Sequence, residues 1–156
     1  MTQDTNRFAR LLSSELDINQ QLCHVLQQEL DCISQQDIRE LEALTPLRQN
    51  LLNELQKAAS GRLEWMKAAG LLPDQNGKEW QSVTADEEIA GLWHDLQQQY
   101  HQNQKLTARL SELVLALGQR TRRKLSILLG RQQETGLYDQ QGQTRSVNAR
   151  FRGIRA

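Results

Sequence analysis

Phe8-Ala9-Arg10-Leu11-Leu12-Ser13-Ser14-Glu15-Leu16-Asp17-Ile18-Asn19-Gln20-Gln21-Leu22-Cys23-His24-Val25-Leu26-Gln27-Gln28-Glu29-Leu30-Asp31-Cys32-Ile33 contains neither proline nor glycine. Phe8, Leu11, Glu15, Ile18, Leu22, Val25, Glu29 and Cys32 follow an alternating spacing of three and four, which keeps one stripe of a helix facing a partner. A second stripe, Leu12, Leu16, Cys23, Leu26, Leu30 and Ile33, runs beside it. Two adjacent stripes are wider than a two-stranded coiled coil needs, so the spacing predicts a helix that packs against two neighbours. That is the signature of a helical bundle.

The rest of the chain extends the pattern. Leucine and glutamine dominate, aromatics make up 4% of the 156 residues, and the only prolines are Pro46 and Pro73. This balance favours helices over sheets, and the length suits one domain. Ser34-Gln35-Gln36-Asp37 has the form of a capping box and predicts a tight reversal into a second helix. That helix carries Leu41, Leu44, Arg48, Leu51 and Leu55, with Leu47 and Leu52 widening the stripe. Pro46 leaves two readings: a bend within the helix, which we prefer, or a start at Thr45 with proline in the first turn. Gly61 is a weak point, and Gly70 marks a C-terminal stop.

Residues 71–83, with Pro73-Asp74-Gln75-Asn76-Gly77, read as a turn-rich connection. Thr84-Ala85-Asp86-Glu87 then has the form of a second capping box. A third helix follows through Ile89, Leu92, Trp93, Leu96, Tyr100, Leu106, Leu110, Leu113 and Leu117 to about Leu129, roughly 65 Å long. Gln99 and Asn103 interrupt its apolar stripe; solvent exposure or a role in fixing register is favoured over ligand binding. The fold expected from the sequence is therefore all-α: an antiparallel bundle of three long helices over residues 1–130, followed by a basic C-terminal arm at 131–156.

The net charge of zero hides an asymmetry. After Gly118 there are nine basic residues, among them Arg120, Arg122, Arg123 and Lys124, and only two acidic ones, Glu134 and Asp139. This end carries +7, so residues 1–117 carry −7. The arginines suit phosphates, but only Tyr138 and Phe151 offer stacking surfaces in the tail, and an acidic body repels a polyanion, so nucleic acid is disfavoured as a partner.

No catalytic constellation emerges. His24 stands alone, and His94 and His101 are two helical turns apart with no metal-binding spacing. Ser13, Ser14 and Ser111 lack an adjacent histidine and acid. Glu15 and Glu29 are about 21 Å apart along one helix, too far for a carboxylate pair, and the Glu-x-x-His partners of a di-metal site are missing. Cys23 and Cys32 are about 13 Å apart on the same helix and read as reduced, buried thiols. The N-terminus has no signal-peptide pattern, and the longest apolar run, Leu113 to Leu117, is too short to cross a bilayer. A cytoplasmic protein is expected.

Beyond the third helix, Gly136-Leu137-Tyr138-Asp139-Gln140-Gln141-Gly142-Gln143-Thr144 resembles the C-terminal signature of the FlgN family of flagellar export chaperones, and the order of elements is similar along nearly the whole chain. Pro46 and the arginine-rich tail depart from the family pattern. The resemblance implies a cytoplasmic, all-helical chaperone of flagellar type III export that needs no cofactor. Its implied partners are hook-filament junction (hook-associated) proteins and the export gate, without nucleic acid and without membrane insertion; monomer and homodimer both stay open. By position, Tyr138 takes the gate-docking role, and Leu125, Leu128, Leu129, Val147, Phe151 and Ile154 are the client-contact candidates. A structural coiled-coil adaptor without chaperone activity is the competing reading.

Overall fold

The computed structural model describes residues 2–72 and 77–129. All regular elements among them are α-helices: α1 (Thr2–Gln35), α2 (Ile38–Ala68), α3 (Gly77–Thr84) and α4 (Glu87–Leu129). The chain divides into two compact units, Met1–Ser111 and Glu112–Ala156. The boundary falls inside the unbroken α4.

Both stripes of the opening stretch are inward-facing on α1. Phe8, Leu12, Glu15, Leu22, Cys23, Val25, Leu26, Glu29, Cys32 and Ile33 are buried, while Leu11, Leu16, Ile18 and Leu30 are half-buried. The two neighbours that such a wide face requires are α2 and α4. On the α2 side, Glu15 meets Arg62 and Glu29 meets Arg48. Moving up α1 by fourteen residues moves down α2 by fourteen, so the two helices pack antiparallel. On the α4 side, Glu15 meets Tyr100 and Asn19 meets Asn103, both numbers rising together, so α1 and α4 run in the same direction.

The α1–α2 reversal is tighter than the sequence suggested. Asp37 N–H donates to the Cys32 carbonyl (2.8 Å) and Gln36 N–H to that of Ile33 (3.2 Å), the paired bonds of a Schellman ending. Gln36 stands in the left-handed region at φ 61°. Asp37 then caps α2, its side chain accepting from the Glu40 amide at 3.1 Å. The expected box on Ser34 is thus shifted by three residues: Ser34 is still inside α1, and the acid read as the far end of the box is itself the cap.

α2 runs without interruption through Pro46. This rules out a start at Thr45; the missing N–H costs the helix one bond, on an exposed position. The helix ends as expected at Gly70, which has φ 71°. Leu71 N–H donates to the Met66 carbonyl (2.8 Å) and Gly70 N–H to that of Lys67 (3.2 Å). Met66 and Leu71, the two apolar residues such an ending brings together, are both buried in the core.

The connection read as turns contains α3. Its helical pattern is hidden because the segment is short and buries no residue completely. Trp80 holds it in place: its ring lies edge-on to Phe8 (centroids 6.5 Å) and to Trp93 (4.9 Å), while Phe8 stacks on Trp65 at 4.9 Å. All three tryptophans of the chain therefore gather around Phe8. α4 starts from Asp86, whose carboxylate accepts from the amides of Glu88 (2.9 Å) and Ile89 (3.4 Å). The second expected box is also displaced, because Thr84 ends α3 and turns its hydroxyl back to the Trp80 carbonyl (2.9 Å).

Apolar clusters hold the first unit together. One joins Phe8, Leu12, Met66, Leu71, Ile89 and Leu96, drawn from α1, α2 and α4, with Trp65, Trp80 and Trp93 against it. Another, near the α1–α2 reversal, joins Val25, Cys32 and Leu44 with Leu41 and Leu51. Each fully buried large side chain contributes about 1.5–3 kcal/mol. Cys23 and Cys32 are free thiols, both buried.

Candidate functional site

Two features stand out: a line of buried polar side chains within the first unit, and an apolar stripe at the end of α4.

The polar line begins at Glu15, which is fully buried. Arg62, on α2, approaches it side-on, with Nε 2.5 Å from Oε1 and a terminal nitrogen 3.2 Å from Oε2. The Tyr100 hydroxyl of α4 donates to the same Oε2. Three donors on one carboxylate offset the cost of burying it. Burial, followed by the adjacent carboxylate, pushes the Tyr100 phenol up to about 12. The guanidinium of Arg62 also lies 5.4 Å from the centre of the Trp93 ring, within cation–π range. One turn on, the Asn103 amide donates to the Asn19 carbonyl (2.9 Å) and side-chain oxygen (3.1 Å), and Gln99 donates to Asn103 Oδ1 (3.2 Å). The polar interruption on α4 therefore fixes helix register. Slipping α4 along α1 would strand Asn19 and Asn103 together.

The second buried acid, Glu29, faces Arg48 with Nε 2.8 Å from Oε1. The atoms are in ion-pair contact but not aligned for a hydrogen bond. Burial raises the Glu29 carboxyl above its ordinary value of 4.5, and Arg48 offsets this only in part. Each acid on the apolar stripe is thus matched by an arginine of α2. The residue spacing gave Arg62 and Asn19 no role, and placed Tyr100 only on the apolar stripe of the third helix. Their signal was positional: Asn19 lies a turn beyond Glu15, and Arg62 falls seven residues after Leu55 and four before Met66 on the buried face of α2.

Among the described residues no group of three or more His, Cys, Asp and Glu side chains could hold a metal ion. None of the helices there is long and apolar enough to cross a membrane. A cavity of about 250 Å³ in the first unit is lined by Asp4, Trp65, Leu71, Glu79 and Val83, among others.

In the second unit, α4 continues through residues 112–129. Leu125, Ile127, Leu128 and Leu129 are 51%, 76%, 79% and 52% exposed, and Val114 and Leu115 are exposed as well. At about 100° per residue, Val114, Leu125, Leu128 and Leu129 fall within roughly a third of the helix circumference. Arg122 and Lys124 lie to either side of that arc. Of the client-contact candidates, Leu125, Leu128 and Leu129 are therefore together on one exposed stripe. Val147, Phe151 and Ile154, together with the docking candidate Tyr138, lie outside the described residues.

A family model described as FlgN protein matches residues 1–146, which takes in all four helices and the Leu137-Tyr138 motif. No curated protein and no solved structure matches the chain. With the match covering nearly the whole sequence, the chain belongs to the FlgN family, a family of flagellar export chaperones that bind hook-associated proteins and are not known as enzymes.

Proposed function

We propose that this protein is a cytoplasmic chaperone that binds hook-filament junction proteins and delivers them to the type III export apparatus. The observation that carries this reading is the exposed apolar stripe of α4, flanked by basic residues at Arg122 and Lys124. Leu125, Leu128 and Leu129 form the described part of the client-contact surface, and Val147, Phe151 and Ile154 its continuation. Residues 1–130 act as an antiparallel body of the three long helices, with α3 as a short strap, and residues 131–156 as the recognition arm. Tyr138 docks on the export gate.

A client exported unfolded exposes its assembly segment beforehand, and such a segment aggregates. An amphipathic helix of the client laid on the stripe covers that segment, and its acids pair with the flanking Arg122 and Lys124. Each anchor contributes about 1.5–3 kcal/mol before ordering costs are subtracted. That is enough for holding and weak enough for release.

Deleting residues 131–156 is expected to leave the body folded by circular dichroism and to abolish capture of a junction protein. Undiminished capture would sink the reading. Tyr138→Ala should keep client binding and lose gate association in a pull-down. The same stripe also fits helix-to-helix association between copies, as in a coiled-coil adaptor. A stable oligomer in sedimentation that Leu125→Ser with Leu128→Ser dissociates, without any effect on client capture, favours the adaptor.

A further inference from the structure

We infer that the α4 segment 87–111 is a separable element, which opens away from an α1–α2 hairpin that stays folded. The inference rests on where the buried charges are. Both buried ion pairs, Glu15 with Arg62 and Glu29 with Arg48, have both partners on the hairpin. Around Glu15, Asn19 and Arg62 α4 contributes neutral groups: the Tyr100 hydroxyl on Glu15, the Asn103 amide on Asn19, and the Trp93 ring beneath Arg62. Removing a partner from a buried charge is among the costliest local changes a fold can suffer. Detaching α4 avoids it, because Glu15 keeps both of its Arg62 contacts and gains water. Detaching α2 from α1 instead breaks both ion pairs at once.

The apolar packing divides the same way. The cluster of Val25, Cys32 and Leu44, with Leu41 and Leu51, contains no residue of α4. It lies beside the Schellman reversal at Gln36 and Asp37, which ties the two hairpin helices over a single turn. α4 attaches through Ile89 and Leu96 in the other cluster and buries Leu110 as well, and the preceding α3 buries no residue completely. The lower-energy opening of the body therefore breaks the α4 seam first. It uncovers Phe8, Leu12 and Met66 while the hairpin keeps its own core. This opening is a property of the body and needs no bound client.

Native-state hydrogen exchange of the full chain in low concentrations of urea tests the inference. Amides of residues 89–111 are expected to exchange through an opening with a smaller urea dependence than global unfolding. Those of residues 25–33 and 41–51 should wait for the global step. Arg48→Met removes an ion pair with Glu29 that survives the opening of α4, so it should speed exchange in 25–33 and 41–51 and leave 89–111 unchanged. Tyr100→Phe removes a bond to Glu15 that is lost in both openings, and should speed all of them by a similar factor, roughly fivefold. A single exchange step with one urea slope for α1, α2 and α4 would overturn it. So would an Arg48→Met variant that accelerates 89–111 as much as the hairpin.

Discussion

Glu15 and Glu29 occupy the same stripe of α1, both are buried, and each faces an arginine of α2, yet their situations differ. Glu15 has three donors, two from Arg62 and one from Tyr100. Glu29 has a single ion-pair partner, Arg48, whose side chain is 30% exposed and whose Nε is not aligned on the carboxylate. Glu15 has partners on two other helices, Glu29 on one. A third helix both excludes water and supplies the extra donor. A buried charge is well tolerated only where the fold supplies enough hydrogen bonds to replace its hydration.

The largest test of this contrast is Arg62→Met. It keeps most of the apolar volume but leaves a fully buried carboxylate with one hydroxyl, and is expected to destabilise the protein by about 3–5 kcal/mol in urea unfolding. Arg48→Met should cost less, about 1–2 kcal/mol, because Arg48 is itself 30% exposed and the Glu29 carboxyl already binds its proton more readily. Equal losses for the two would break the comparison.

Tyr100→Phe is expected to cost about 1 kcal/mol at neutral pH, the net value of one hydrogen bond on a half-buried group. A phenol raised to about 12 in the fold, from an ordinary 10, stabilises fully below pH 10 and loses that stabilisation as the pH climbs through 12. Tyr100→Phe should remove this alkaline loss from the stability profile.

The smallest effect, with the opposite sign, is Glu29→Gln. A carboxyl raised above 4.5 in the fold weakens the wild type as the pH rises from 4.5 through the folded value, because the unfolded chain gives up the proton first. Glutamine has no proton to give up. Relative to wild type, the variant should gain stability over that window, by under about 1 kcal/mol at neutral pH once screening around Arg48 is allowed for. The difference should stay flat below pH 4. A loss of stability on this substitution would show that the Arg48 contact outweighs the burial cost.

Much of this architecture was legible in residue spacing. The two α1 stripes foretold a helix with two neighbours, and Gly70 marked the end of α2. Register at Asn103 was also within reach, because amides such as Gln99 and Asn103 on an otherwise apolar stripe have few other uses. The caps were less accessible. Ser34 and Thr84 each begin a box-like motif, but the acid downstream wins the cap, since a preceding helix runs on through the hydroxyl residue. α3 was missed because eight residues carry too little periodicity to separate from a loop.

The sequence by itself determined the helical class, the wide buried face of α1 and, through Leu137-Tyr138 and its neighbours, the family. These follow from local spacing and from a linear motif, neither of which needs a partner element to be read. Tertiary structure decided which arginine answers which glutamate, that Tyr100 and Asn103 close the α4 seam, and that both buried ion pairs belong to the hairpin. Glu15 and Arg62 are 47 positions apart, and Glu15 and Tyr100 are 85. Contacts across such distances depend on the rotation and register of packed helices, which a periodic sequence pattern leaves free.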